Sequence, residues 1–119
     1  MPIVTGVVWE VVGTSMFEDW YLALDAATQN RIDDRVEMLE QLGPALGRPV
    51  VDHIKTSRHH SMKELRTGSV RILFIFDPAS NAVLLLGGDK QNNWTGWYKT
   101  NVPLADDLYD TYLTETKGP

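Results

Sequence analysis

The chain has 119 residues, a net charge of −5 and 43% hydrophobic residues, the composition of one ordinary soluble domain that buries its own core. It contains no cysteine, so disulfides, a thiol nucleophile and a cysteine-based metal site are excluded. No apolar run approaches the roughly 20 residues of a membrane span, and the N-terminus lacks the pattern of a signal peptide. We therefore expect a single domain, residues 1–119, in the cytoplasm and without a membrane partner.

The charges are distributed unevenly along the chain. Residues 1–47 carry eight acidic and two basic side chains, whereas residues 48–75 carry two acidic and six basic ones. All three histidines lie in the basic part. An acidic body with one basic zone predicts a localised anion-binding site, and a solvated basic loop is the alternative interpretation.

The N-terminal part predicts a strand and two helices. Val7 to Val12 is rich in β-branched residues, as strands are. Ser15 and Glu18 have capping-box spacing at a helix start, and a second helix with Asp25 as N-cap ends at the Gly-Pro pair 43–44. Apolar residues recur at helical spacing in both: Phe17, Trp20, Tyr21 and Leu24, then Ile32, Val36, Leu39 and Leu42.

Residues 44–61 lack periodicity and predict a loop. Three strand patterns follow within residues 62–90, with turns centred on Thr67-Gly68 and on residues 77–81. The middle strand, residues 70–76, is apolar on both sides, which predicts a central strand covered on both faces.

Pro103 is predicted to begin a last helix, because proline is favoured in the first helical turn. The resulting element order is β, α, α, β, β, β, α. It predicts an α+β domain with an N-terminal strand, a two-helix hairpin packed on an antiparallel sheet, and a three-stranded meander within that sheet. The C-terminal helix is expected at one edge of the sheet or on its second face.

The pairing of the first hairpin decides where its charges point. With a turn centred on Thr67-Gly68, Leu65 lies opposite Val70 and Glu64 lies opposite Arg71. Leu65 and Val70 then share one face of the sheet. Glu64 and Arg71 share the other face with Arg66, while Lys63 points away from them. Two arginines and a carboxylate on one sheet face predict a polar site.

These elements and motifs together resemble the RelE/ParE toxin superfamily, and within it the phage-derived HigB-like branch. The resemblance rests on the element order, on Phe17-x-x-Trp20-Tyr21 at a helix start, and on the Glu64-Leu65-Arg66 strand. It also rests on the strand at residues 71–74 and on the later run at residues 87–107, which contains Gly-Gly-Asp-Lys, tryptophans and Pro103. The similarity covers nearly the whole chain, residues 8–113.

The resemblance implies the toxin half of a type II toxin–antitoxin pair, which cuts mRNA on the translating ribosome and is neutralised by a helix-turn-helix antitoxin. It implies that Arg71 binds the scissile phosphate, that Arg66 matches the arginine of the family strand motif, and that Lys90 matches the first lysine of a Lys-Lys-Thr motif. The second lysine of that motif is Gln91 here. Tyr98 or Trp97 falls near the position of a catalytic tyrosine in some relatives.

Two other functions stay open on the sequence. One is a non-catalytic toxin of the gyrase-inhibiting type, which shares the fold and lacks the nuclease residues. The acidic net charge and Gln91 favour it. The other is an inert phage-derived module that only binds a partner.

Metal-free RNA cleavage by attack of the ribose 2′-OH on the scissile phosphate needs a base, an acid and cations. Arg66 and Arg71 suit the phosphate, because a guanidinium matches its oxygens, although an ion pair between Arg71 and Glu64 is the alternative. His59 and His60 titrate near neutral pH and can serve as base or acid. The candidate catalytic residues are Arg71, Arg66, Lys90, His59, His60 and Tyr98.

Further residues are candidates for RNA binding, either as cations for the backbone or as rings for unpaired bases. For the tryptophans, packing against the last helix is the alternative. The histidines lack a helical i, i+4 pair and a carboxylate partner, so we expect no metal site and no cofactor. The candidate RNA-binding residues are Arg58, Lys55, Lys63, Lys99 and Trp97.

Overall fold

The computed structural model describes residues 9–91 and 94–117, so Val7 and Val8 of the predicted first strand lie outside the described residues. The predicted α+β class is confirmed, and the predicted element order is found with one additional strand between the second helix and the meander. The strands are β1 (Val11–Gly13), β2 (Val51–His53), β3 (Lys63–Thr67), β4 (Val70–Phe76) and β5 (Ala82–Asp89). The helices are α1 (Ser15–Leu22), α2 (Ala26–Leu42) and α3 (Trp94–Lys117), with a short 3-10 turn at Gly43–Ala45.

Two boundaries differ from the sequence prediction. The loop predicted for residues 44–61 contains β2, which is too short to have a period of its own. Helix α3 begins at Trp94, so Pro103 lies inside it rather than at its start. Burial of Val102 and Ala105 on either side of that proline, at 2% and 0% exposure, offsets the lost backbone hydrogen bond. Within the described part of the chain, no helix is both long and apolar enough to span a membrane.

One five-stranded sheet with the order β1-β5-β4-β3-β2 forms the centre of the molecule. The β3-β4-β5 meander is antiparallel, as predicted, and β2 extends it antiparallel to β3. Strand β1 pairs parallel to β5 at the opposite edge. Strand β4 is therefore central, in agreement with its apolar character on both sides.

The first hairpin turns one residue later than predicted. Arg66 lies opposite Arg71, and Thr67 lies opposite Val70, so the turn consists of Gly68 and Ser69. Gly68 has a φ of +58°, the value that the first turn position of a type II′ hairpin requires. Each residue of β3 meets a β4 residue two places away from the predicted partner. A shift of two residues keeps every side chain on its predicted face, so Arg66 and Arg71 still share a face.

Separate apolar cores cover the two faces of the sheet. Helices α1 and α2 pack on one face, over a core that contains Phe17, Ile32, Leu65, Ile72 and Phe74. Helix α3 packs on the second face, over a core that contains Met62, Leu73, Val83, Val102 and Tyr109. The second-face alternative for the C-terminal helix is therefore the correct one.

A β-bulge in β5 determines which side chains near the end of this strand point toward α3. Leu73 pairs with Leu86 and Phe74 with Leu84, so Leu85 is the extra residue. Leu85 and Leu86 both belong to the core under α3, and the alternation is reversed beyond them. Thr14, the N-cap of α1, donates a hydrogen bond of 2.6 Å from Oγ1 to the Leu85 carbonyl. The bulge thereby carries later even-numbered residues onto the α3 face.

The two glycines after the bulge allow tryptophans to approach both faces of β5. A Cβ on Gly87 would lie 2.3 Å from Cζ3 of Trp20, and a Cβ on Gly88 would lie 2.4 Å from Nε1 of Trp97. Real Cβ atoms do not occur at such distances. The Gly-Gly pair therefore serves close packing of α1 and α3 on the sheet.

We predict that Gly87→Ala destabilises the fold by about 1–3 kcal/mol, because the rigid Trp20 indole must move away from the new methyl group. Urea unfolding measures this change in the free energy of unfolding. The control is Gly47→Ala, where a Cβ meets no atom within 4 Å. That control should stay within about 0.5 kcal/mol of wild type, and equal effects at both positions would contradict the packing described for Trp20.

Candidate active site

A buried carboxylate on β3 joins the charged groups of the α3 face. Glu64 is 3% exposed. Its Oε2 accepts hydrogen bonds from Nε and Nη2 of Arg66 at 3.0 and 2.8 Å. Its Oε1 accepts one from the Tyr98 hydroxyl at 2.6 Å and lies 3.6 Å from Nε of Arg71. Arg66 also donates from Nη2 to Asp52 of β2 at 3.1 Å. Side chains of β3, β4 and α3 thus meet at the Glu64 carboxylate, and β2 is linked to it through Arg66.

Arg71 is the most enclosed arginine of this group, with only 10% of its side chain exposed. Its Nη1 donates to the carbonyl oxygens of Gly68 and Val70 at 2.6 and 2.9 Å, which fixes the guanidinium under the hairpin turn. Its buried Nε has no hydrogen-bond partner among the described residues. The ion pair with Glu64, the alternative interpretation of Arg71, is present, and Nε of Arg71 is left as an unsatisfied buried donor.

Lys90 directly follows β5 and, because of the bulge, lies on the α3 face of the sheet. It is 2% exposed, and its backbone N–H donates to the Ser69 carbonyl at 3.1 Å. Burial lowers the pKa of the Lys90 ammonium, and repulsion by Arg71 lowers it further, while Glu64 opposes this change. A lysine in this setting gives up its proton more easily than an exposed one, which suits acid–base chemistry.

Tyr98 comes from the N-terminal part of α3. Burial raises the pKa of the Tyr98 hydroxyl to about 12, and the hydrogen bond to Glu64 raises it as well. Tyr98 is therefore a neutral phenol at physiological pH. Trp97 stacks edge-on against it, with ring centroids 5.1 Å apart.

Two grooves adjoin at Tyr98 and Thr56. The polar groove, of about 310 Å³, is lined by residues that include Asp52, Lys55, Glu64 and Arg66. The apolar groove, of about 380 Å³, is lined by Thr95, Lys99, Val102 and Pro103 together with the two shared residues. Each volume lies in the size range of small-ligand sites.

His59 belongs to a different cluster, further along α3. Its Nε2 lies 2.9 Å from Oδ1 of Asp110, and its ring meets that of Tyr109 edge-on. Arg58 is paired with Asp107 at 2.8 Å and also with Asp110. Ser57 donates to the buried Asp106 carboxylate. Residues 57–59 therefore attach the connector to α3, about 12 to 18 Å of helix rise from Tyr98.

The structure brings together four of the six predicted catalytic residues: Arg66, Arg71, Lys90 and Tyr98. His59 lies in the second cluster, and His60 is exposed beside it. Of the predicted RNA-binding residues, Lys55 and Lys99 line the two grooves, and Trp97 covers Gly88 next to Tyr98. Arg58 is engaged with α3, and Lys63 lies on the other sheet face, 5.6 Å from the Phe76 ring centroid.

Sequence reasoning placed Glu64 on the polar face without a catalytic or binding role, and it did not identify Asp52 as a member of the site. The six basic residues in 48–75 overstated the free positive charge, because most of the arginines among them are paired with carboxylates. Arg58 pairs with α3, whereas Arg66 and Arg71 pair with carboxylates of the same part of the chain. Alternation along β3 correctly placed Glu64 beside Arg66, whereas Asp52 joins them through the pairing of β3 with β2, which was predicted to be a loop. Within residues 9–91 and 94–117, no group of metal-binding side chains is arranged around a common point.

Several known proteins are similar to this chain. Residues 19–110 match the family described as phage-derived protein Gp49-like (DUF891). The candidate toxin HigB3 of Mycobacterium tuberculosis (strain ATCC 25618 / H37Rv) is 48% identical, over 85% of this chain and 90% of HigB3. The candidate toxin HigB2 of the same strain is 45% identical, over 81% of this chain and 50% of HigB2.

Two solved complexes contain a chain with a similar fold. A chain of the toxin–antitoxin complex RelBE2 from Mycobacterium tuberculosis matches with a TM-score of 0.56 and 15% identity, over 70% of this chain and 92% of that one. A chain of the RelE–RelB complex from Pyrococcus horikoshii OT3 matches with a TM-score of 0.57 and 16% identity, over 71% of this chain and 97% of that one. At these identities the similarity shows the fold alone, which is RelE-like.

We predict that Tyr98→Phe reduces the loss of stability at alkaline pH. The folded-state pKa of about 12 lies above the ordinary value of 10.0, so the contribution of the neutral phenol is complete below pH 10 and is lost as pH rises through 12. Urea unfolding at pH 9 and pH 11.5 should show a smaller decrease for the variant than for wild type, by on the order of 1 kcal/mol after allowance for partial solvent screening.

The control for this measurement is Tyr21→Phe, because the Tyr21 hydroxyl bonds to Asp33 on the opposite side of the sheet and the side chain lies near the surface. That variant should follow the wild-type decrease more closely. Equal decreases in wild type and Tyr98→Phe would contradict the burial of the Tyr98 hydroxyl against Glu64.

Proposed function

The chain belongs to the phage-derived Gp49-like family, and from this premise we propose that it is the toxin of a type II toxin–antitoxin system, acting in the cytoplasm as a ribosome-dependent mRNA endonuclease. The toxin role is supported by HigB relatives at 45% and 48% identity. The nuclease activity is supported by one observation above all. Arg66, Arg71, Lys90 and Tyr98 converge on the α3 face beside two grooves.

In the proposed reaction the ribose 2′-oxygen attacks the adjacent phosphorus and the bond to the 5′-oxygen of the next nucleotide breaks. The products are a 2′,3′-cyclic phosphate and a free 5′-hydroxyl. The 2′-OH loses its proton to a base, and the leaving 5′-oxygen gains one from an acid. Negative charge grows on the phosphate oxygens between these events, so cations fixed nearby accelerate the reaction.

Arg66 is proposed to contact the phosphate, because 30% of its side chain is exposed at the polar groove. Arg71 lies deeper and raises the positive potential at the same position. Tyr98, with its phenol at the junction of the grooves, and Lys90, with its lowered pKa, are the proposed proton-transfer groups. Lys90 is 2% exposed, so it would need to move outward to meet the RNA. His59 and His60 remain candidates from the sequence, and they would need to approach from the neighbouring cluster.

Lys55 and Lys99 are proposed to bind the RNA backbone on either side of the reacting phosphate, because they line the polar and apolar grooves respectively. Trp97 and Tyr98 would provide rings beside that path. A contact between lysine and phosphate is independent of sequence and weakens with salt.

One observation favours the gyrase-inhibiting alternative. Glu64 and Asp52 already engage the two site arginines in the free protein, so an anion must compete with them. A non-catalytic toxin that binds an enzyme would need no such competition. DNA breaks with intact mRNA in cells that express the chain would support this alternative.

We predict that Arg66→Ala lowers the mRNA cleavage rate by about 100-fold, since one charge-stabilising donor is lost. Purified protein is added to ribosomes that translate a defined mRNA, and primer extension measures the cut product. The matched control is Arg31→Ala, an exposed arginine of α2 on the other face of the sheet. Thermal unfolding of both variants checks that the fold is retained.

Wild-type cleavage by folded Arg66→Ala would remove the assigned role of that residue. The absence of cleavage by wild type, together with growth arrest on expression, would overturn the nuclease proposal and leave the toxin assignment intact.

We further propose that an antitoxin is the cognate partner, as in the RelBE2 toxin–antitoxin complex, and that it is of the helix-turn-helix type that the resemblance to HigB-like toxins implies. Co-expression of the chain with the small protein encoded next to it should restore growth, and both proteins should elute together in size-exclusion chromatography. Arrest that persists despite equal expression of that neighbour would contradict this pairing.

A further inference from the structure

Glu64 occupies the floor of the candidate site, beneath the residues proposed to meet the RNA. Only 4% of its side chain is exposed, compared with 30% for Arg66. We propose that Glu64 is the positioning residue of the site: its carboxylate aims the Tyr98 hydroxyl and the Arg66 guanidinium at the polar groove without itself touching the substrate. This inference rests on the proposed nuclease function and adds to it a residue that the mechanism above does not use.

The contact with Tyr98 fixes the direction in which the Tyr98 hydroxyl hydrogen points. A tyrosine hydroxyl has one hydrogen, and Tyr98 donates it to Glu64 Oε1 at 2.6 Å. The lone pairs of the Tyr98 oxygen therefore remain available toward the groove. In this state the Tyr98 oxygen orients the ribose 2′-OH by accepting a hydrogen bond from it, and the proton itself goes to the general base of the proposed reaction, because a neutral phenol does not take up a second proton.

The contact with Arg66 fixes the orientation of the Arg66 guanidinium. Nε and Nη2 both donate to Glu64 Oε2, and Nη2 also reaches Asp52. Two bonds from one planar group to one carboxylate oxygen determine the plane of the guanidinium. The exposed part of Arg66 is thus held against the groove rather than free to rotate in solvent.

Glu64 also sets the charge balance of the site. Arg66, Arg71 and Lys90 supply three positive charges, and Glu64 and Asp52 supply two negative ones. Replacement of the Glu64 carboxylate by a neutral amide leaves Asp52 as the only acidic group among these five. An RNA phosphate should then bind as well as before or more tightly, while the aim of Tyr98 and Arg66 is lost. A residue needed only for folding would not produce this opposite effect on binding and turnover.

The test compares Glu64→Gln, Tyr98→Phe and the double variant with wild type in ribosome-bound mRNA cleavage, with kcat and KM measured separately. Glu64→Gln should lower kcat by about 10- to 100-fold, the range known for groups that orient metal ligands, with KM unchanged or reduced. The double variant should be less impaired than the product of the two single effects, because Glu64 acts partly through Tyr98. Glu37→Gln, an exposed carboxylate of α2, is the matched control and should behave as wild type.

A second measurement needs no RNA. Ultraviolet titration of the tyrosines should show Tyr98, assigned by its absence in Tyr98→Phe, ionising at lower pH in Glu64→Gln than in wild type. If Glu64→Gln merely unfolded the protein, all four tyrosines would shift together, and circular dichroism would report the loss of structure.

The possible results separate the two proposals. Wild-type kcat in folded Glu64→Gln, or single-variant effects that multiply in the double variant, would overturn the positioning role and leave the nuclease function standing. Wild type that cleaves no mRNA would overturn the nuclease function instead, and an unchanged Tyr98 titration in Glu64→Gln would then show that Glu64 does not control the hydroxyl.

Discussion

The site depends on the burial of one carboxylate. A charged group that is removed from water is costly unless donors surround it, and removal of one partner from a buried pair is strongly destabilising. Glu64, at 3% exposure, meets this requirement with Arg66 from its own strand, Tyr98 from α3 and Arg71 from β4. The fold must therefore bring β3, β4 and α3 together for this charge to be tolerated. The same contacts gather the residues that the proposed chemistry uses.

The second constraint is the pattern of alternation along β5, which decides the sheet face on which Lys90 lies. Without an extra residue, strict alternation would place Lys90 on the face covered by α1 and α2, away from Arg71. The bulge at Leu85 reverses the alternation, and Thr14 bonds the Leu85 carbonyl at the bulge. The following glycines let Trp20 and Trp97 close on the strand from both sides. A local irregularity thus adds a lysine to a site formed mainly by regular strands.

Charge is separated between the α1–α2 hairpin and the candidate site. The acidic side chains of residues 1–47 belong mainly to α1 and α2, whereas the arginine cluster lies under α3 on the opposite face of the sheet. A polyanion such as the proposed RNA substrate would be repelled by the α1–α2 hairpin and attracted by the site near the N-terminal end of α3, since the later part of α3 is acidic. The proposed substrate would therefore meet the α3 face first, and the helical hairpin would remain accessible to other partners.

The sequence alone determined the α+β class, the meander and the face shared by Glu64, Arg66 and Arg71, because these follow from local periodicity and from the parity of strand alternation. The predicted face of each side chain is correct although the predicted turn is wrong by one residue, because the true register differs from the predicted one by two residues. Tertiary structure decided the rest. The bulge that orients Lys90, the extension of α3 through Pro103 and the capture of His59 by Asp110 all depend on contacts between residues distant in sequence. Such contacts leave no local pattern, because their energy comes from packing and burial that exist only once the layers have met.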